Sequence, residues 1–180
     1  MLPNPWSLTG TVADPIPQVF RVVEHRADGW VQVLLPQRPN GLTGWIPPGE
    51  VTLTRTPYRI EVSLGEHRMT VFDGATVLMQ GPVATGAPAT PTPTGRYSIR
   101  VLLRAPSPSS AYGPFAFGLS AHSDALSTFD GSDAEVGLHG NDDASVLGSS
   151  VSHGCIRMDN GAITRLAGLL PLGTPVDIIG

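Results

Sequence analysis

A mainly β fold is predicted by three features of the chain. Apolar and polar residues alternate with period two in segments between positions 58 and 103, the mark of half-buried strands. The 21 glycines and 18 prolines are spread along the length, which favours many turns and short strands over long helices. One stretch alone, near the C-terminus, has clear helical spacing. With 180 residues, 41% of them hydrophobic, the chain can bury a core and suits one medium domain with a small companion.

Residues 1–16 contain Pro3, Pro5 and Pro15 and show little periodicity, so they read as an arm or linker, with Trp6 expected to dock on a domain. From 17 to 54 the pattern changes to short strands. Residues 19–23, 30–35, 44–46 and 51–53 are apolar or β-branched, and Asp28-Gly29 and Asn40-Gly41 mark turns between them. Strands this short are expected to close into a small barrel, which removes open edges. Gly29-Trp30-Val31-Gln32-Val33 and Gly41-Leu42-Thr43-Gly44-Trp45-Ile46 resemble bacterial Src-homology-3-like (SH3-like) modules. Trp30 and Trp45 are expected in its core rather than in a ligand groove, since large aromatics dominate burial in small domains.

Residues 54–57 read as a hinge. Residues 58–64 then alternate as a strand, 68–72 and 76–79 form a hairpin about Asp73-Gly74, and 96–103 alternate again after a Gly/Pro-rich loop. Such short connections imply a mostly antiparallel sheet. Residues 104–135, with Tyr112, Phe115 and Phe117 scattered among Ser, Ala, Asp, Pro and Gly, are expected to be a folded loop lining a cleft. Residues 136–138 form a short strand leading to His139. Asp159 or Asn160 caps a helix whose Ile163, Leu166, Ala167 and Leu170 share one face, and 174–179 make a final strand.

The net charge of −4 and the lack of a basic block argue against a nucleic-acid partner. No apolar run is long enough to span a membrane. The start Met1-Leu2-Pro3-Asn4 lacks the pattern of an export signal. A single cysteine rules out an internal disulfide and leaves the compartment open.

That cysteine, Cys155, lies in Ser152-His153-Gly154-Cys155-Ile156-Arg157, and a second His-Gly pair, His139-Gly140, precedes it. A free thiol needs a base to become a nucleophile at neutral pH, and a histidine within reach forms a thiolate–imidazolium pair. His153 is too near in sequence for a good hydrogen bond, whereas His139 arrives on a separate strand. His139 is therefore expected to be the base, its ring oriented by the Gly140 carbonyl. Amides about Gly154 and Cys155 are expected to form an oxyanion hole, and Arg157 to hold a substrate carboxylate.

His139-Gly140 followed by Ser152-His153-Gly154-Cys155-Ile156-Arg157 resembles the signature of the L,D-transpeptidase catalytic domain. Val83-Ala84-Thr85-Gly86, Thr92-Pro93-Thr94-Gly95 and Gly173-Thr174-Pro175-Val176 agree, so the resemblance spans 57–180. It implies a β-sandwich of that type and no cofactor. It also implies a cysteine enzyme that attacks the third-position diamino acid of a peptidoglycan stem peptide and releases D-alanine. The acyl group then passes to a second stem. By motif position Cys155 is the nucleophile and His139 the base, with Ser152, His153 and Arg157 shaping the pocket; Tyr112 and Phe117 are expected beside them. Stem peptides are the implied partners, carbapenems the implied acylating inhibitors, and the wall or periplasm the implied location.

Hydrolysis of the same acyl-enzyme would make the protein an L,D-carboxypeptidase, and a wall-binding protein with a dead site is the third reading. Papain-like peptidases place cysteine before histidine, the reverse of this order. A zinc site from His122, His139, His153 and Cys155 matches no short ligand spacing.

Overall fold

The computed structural model describes residues 17–105, 107, 109–129 and 131–180; the expected arm, with Trp6, lies outside them. Three strands come first: β1 (Val22–His25), β2 (Val31–Leu34) and β3 (Thr43–Ile46), paired antiparallel in that order. Alternation in β2 turns Val31 and Val33 inward, each 2% exposed. The expected barrel is not what these strands form. Among the described residues, 51–53 join no strand pairing and are exposed, so the sheet is left with three strands. Trp30 and Trp45, expected in the core, are 37% and 41% exposed, and the Arg26 guanidinium lies 5.4 Å from the Trp45 ring centre.

The remainder is built on a curled sheet of eight strands. These are β4 (Tyr58–Ser63), β5 (Arg68–Asp73), β6 (Thr76–Pro82), β8 (Gly95–Arg104), β9 (Phe115–His122), β12 (Glu135–His139), β14 (Ile156–Arg157) and β15 (Pro175–Ile179), in the order β14-β12-β9-β8-β15-β4-β5-β6. Two further pairs border it: β7 (Thr85–Gly86) with β13 (Ser150–Ser152), and β10 (Thr128–Phe129) with β11 (Ser132–Asp133). Most neighbours are antiparallel, as the short connections require. The exceptions in the large sheet are β4 with β15, whose pairing joins the two ends of the domain, and β12 with β14.

One helix, α1 (Asn160–Ala167), follows β14. Asp159 caps it by accepting the Ala162 amide at 2.8 Å. Its apolar face buries Ile163 and Leu166 against a core that includes Ile60, Val62, Tyr97, Phe117, Leu119 and Leu138. The small sheet is fastened to the large one by Arg21, which donates to Asp177 at 2.6 Å and to the Tyr97 carbonyl at 3.1 Å.

The stretch 104–135, expected to be a loop, contains three strands. One of them, β9, lies between β8 and β12 in the interior of the sheet. It is buried on both faces, so its sequence shows no alternation. Phe117 on β9 is fully buried and pairs with Leu138 and Leu102. It belongs to the core and is no substrate contact.

Candidate active site

Parallel neighbours cannot be joined by a tight turn, so β12 and β14 need a long crossover between them. Residues 140–155 are that crossover. The register, Leu138 with Ile156 and His139 with Arg157, sets the short β14 against the end of β12, so that Cys155, just before β14, comes opposite Gly137 and near His139. Gly137, two residues before His139 on the same face of β12, shows how they meet. A Cβ placed there would stand 3.5 Å from His139 Cδ2 and 3.7 Å from Cys155 Sγ. The Gly137 amide itself donates to Cys155 Sγ at 3.3 Å.

His139 is buried, and its Nδ1 lies 2.6 Å from the Gly140 carbonyl. A carbonyl can only accept, so Nδ1 carries the proton and Nε2 keeps a lone pair on the ring edge that includes Cδ2. Burial lowers the His139 pKa to about 4; the bond to Gly140 opposes this, and the Arg157 charge adds to it. Burial also raises the Cys155 pKa, against the pull of the Gly137 amide and Arg157. Burial thus works against both charged forms of the thiolate–imidazolium pair expected from sequence.

Gly140, expected from sequence to orient the ring, supplies the carbonyl on Nδ1. It must also be glycine on steric grounds, because a Cβ there would lie 2.2 Å from Asn160 Oδ1. Asn160 accepts the Asn141 amide at 2.9 Å and donates to the Asn141 carbonyl at 2.8 Å, while Asn141 Nδ2 donates to the Met158 carbonyl at 2.6 Å. These two asparagines were not singled out in the sequence. Asn141 beside a His-Gly pair was the available signal; Asn160 was read only as a helix cap.

Ser152 is buried, and both of its hydroxyl bonds serve the loop: it donates to the Cys155 carbonyl at 2.5 Å and accepts the Gly154 amide at 3.1 Å. Through them it shapes the turn that carries Cys155. The Gly154 amide, engaged in this way, is not available as an oxyanion donor. Gly154 has φ +115°, a conformation that side chains disfavour, and its carbonyl accepts from Thr92 Oγ1 at 2.9 Å. Thr92 also receives the Gly86 amide at 2.8 Å, so it ties the 85–92 loop to the cysteine turn. Thr92 opens the Thr92-Pro93-Thr94-Gly95 motif, and nothing in that motif signals the tie to Gly154.

Arg157 faces His139 in the β12–β14 register, and its backbone pairs with Ala84 in both directions. Its buried Nε meets no hydrogen-bond partner among the described residues. The Tyr112 ring centre lies 4.9 Å from that of His139. His153 is exposed and leans on Phe129, with ring centres 5.5 Å apart. A narrow cavity beside Cys155 is lined by Phe129, His153, Gly154, Ala134, Glu135 and Val136 among others. His122 lies elsewhere: its Nε2 is 3.2 Å from Asp133 and 3.9 Å from Glu135.

A family model described as the YkuD L,D-transpeptidase catalytic domain matches residues 57–178. The provisionally named L,D-transpeptidase YkuD of Bacillus licheniformis is 33% identical over 155 residues, which are 82% of this chain and 85% of that protein. Among solved structures, Bd1075 of Bdellovibrio bacteriovorus is 26% identical with a TM-score of 0.55, over 69% of this chain and 48% of that one. This chain therefore spans about half of Bd1075. The structure of L,D-transpeptidase 3 from Mycobacterium tuberculosis with a faropenem-derived adduct is 18% identical with a TM-score of 0.55, over 86% and 69% of the two chains. That likeness is one of fold.

Proposed function

The chain belongs to the YkuD L,D-transpeptidase catalytic domain family, and from this premise we propose that it is a cysteine-dependent acyltransferase that cross-links peptidoglycan stem peptides. The observation that carries the reading is the convergence of Cys155 Sγ and the unprotonated edge of His139 on one gap at Gly137.

In the proposed reaction His139 Nε2 accepts the thiol proton as Sγ attacks the carbonyl of the third-position diamino acid. The electron pair moves to the carbonyl oxygen, where the Cys155 amide and the Arg157 guanidinium are suited to receive it. Collapse breaks the bond to the terminal D-alanine, whose amine takes the proton from His139. An acyl-cysteine remains. A side-chain amine of a second stem then attacks the thioester, His139 takes up its proton, the carbon–sulfur bond breaks as the new amide forms, and His139 returns the proton to the departing sulfur, which regenerates the thiol. The Gly137 amide favours sulfur carrying negative charge at both ends of the cycle. Such chemistry belongs outside the membrane, where the wall lies.

Intact-mass measurement after mixing with a carbapenem tests the nucleophile. A single adduct is expected on the wild type and none on Cys155→Ala; an adduct on the alanine variant overturns the assignment. Digestion of treated muropeptides tests the transfer. Cross-linked dimers are expected, and trimmed tripeptides without dimers would make the protein a carboxypeptidase.

A further inference from the structure

The small N-terminal sheet reaches past its anchor at Arg21 to the wall of the active-site cleft. The β2–β3 connection carries Arg38 and Asn40. Arg38 donates through Nε and Nη2 to Asp133 Oδ1, each at 3.1 Å, through Nη2 to the Leu126 carbonyl at 2.8 Å, and through Nη1 to the Ser123 carbonyl. Asn40 Nδ2 donates to the His122 carbonyl at 2.7 Å and to Asp124 Oδ1 at 3.0 Å, and its Oδ1 accepts the His122 amide at 2.9 Å. The two side chains therefore hold the end of β9, the turn after it and the returning strand β11. Between the held points stands Phe129, its ring tilted against that of His153 and lining the cavity beside Cys155. A guanidinium fork that bonds a carboxylate and two carbonyls at once fixes position as well as distance.

We propose that the N-terminal sheet braces the β10–β11 hairpin, with Arg38 and Asn40 acting as positioning residues that set the stem-peptide pocket through Phe129. This rests on the acyl-cysteine reading above and extends it. The small sheet thus contributes to substrate binding by the site itself, over and above any part in seating the enzyme on the wall. Without the brace the hairpin would sample open positions, and apparent affinity would fall with the fraction of molecules holding the pocket closed. The thiol, the imidazole and their hydrogen bonds are untouched by Arg38, so the chemical step keeps its rate.

The experiment uses the full chain and a synthetic tetrapeptide stem with a third-position diamino acid and terminal D-alanine. Arg38→Ala is expected to raise KM by about fivefold to tenfold while kcat stays within about twofold. Phe129→Ala should do the same, and the double variant should be no worse than the worse single one. Arg26→Ala, on the same sheet but bonded to Asp28, should leave both constants unchanged. A wild-type KM in Arg38→Ala, additive effects in the double variant, or an equal loss in Arg26→Ala would each overturn the brace. If the wild type itself turned over no stem peptide, the functional reading would fail separately, and amide exchange would decide the brace. Faster exchange at residues 124–133 in Arg38→Ala, with β4 unchanged, supports it; unchanged exchange there overturns it.

Discussion

Asn141 and Asn160 clasp each other through two hydrogen bonds, at 2.9 and 2.8 Å, and the clasp fixes the Gly140 carbonyl that orients His139. The His139 ring is thus set by a carbonyl held in place from the first residue of α1, with no carboxylate on its Nδ1 among the described residues. Asn160→Ala should leave the buried Asn141 backbone unsatisfied, at a cost of about 1–3 kcal/mol. Melting temperature should fall, and kcat should fall with it by about tenfold or more as the ring loses its fixed tautomer. Thermal unfolding and steady-state kinetics on stem peptide check the pair; full activity with lowered stability would show that the clasp serves folding alone.

Ser152 provides a contrasting case, since its hydroxyl bonds within the cysteine turn. Ser152→Ala removes the donor to the Cys155 carbonyl and the acceptor of the Gly154 amide, both at buried positions. A loss of about 1–3 kcal/mol in stability is expected. Slower acylation of Cys155 should accompany it, with little change in affinity for stem peptide. A rise in KM at unchanged stability would instead make Ser152 a substrate contact.

Period and punctuation made β4, β5 and α1 legible, because each has one buried face and a turn or cap where it begins or ends. The interior strand β9 was hidden, since burial on both sides erases alternation and its Ala, Gly and Ser residues imitate a loop. Trp30 and Trp45 misled for a related reason: residue type argues for burial, but three strands provide too little covering surface to enclose them. At the site, Cys155, His139 and Gly140 were legible because the chemistry constrains residue types in a local motif. The ties made by Asn160 to Asn141, 19 positions away, and by Thr92 to Gly154, 62 positions away, depend on the fold that brings them together. No spacing in the sequence encodes them.

Tyr112 and Phe117 were read alike and should now behave differently. Tyr112 is half-buried beside the His139 ring, whereas Phe117 is fully buried between β8 and β12. Phe117→Ala should cost about 3–5 kcal/mol of stability, the usual range for an emptied aromatic site. Tyr112→Ala should leave melting nearly unchanged and slow turnover. Denaturant titration of both variants alongside carbapenem acylation rates separates the two roles.

The depressed pKa of His139 has a direction that pH can test. From 6.5 unfolded to about 4 folded, the unfolded chain binds the extra proton throughout that interval, so stability is greatest above about pH 6.5 and is lost as pH falls toward 4. At about 1.4 kcal/mol per unit of pKa, this amounts to about 3 kcal/mol. His122, also held below its ordinary value by burial, acts in the same sense. His139→Gln should therefore flatten much of the acid limb of a stability–pH curve. With His139 as the proposed base and its pKa lowered by burial, acylation by a carbapenem should persist to well below pH 6 and decline as the ring takes up its proton near pH 4. A rate that halves near pH 6.5 on the acid side would mean that the ring keeps its ordinary pKa and that burial does not depress it, whereas a rate lost above neutral pH, as an imidazolium gives up its proton, would point to an ion pair.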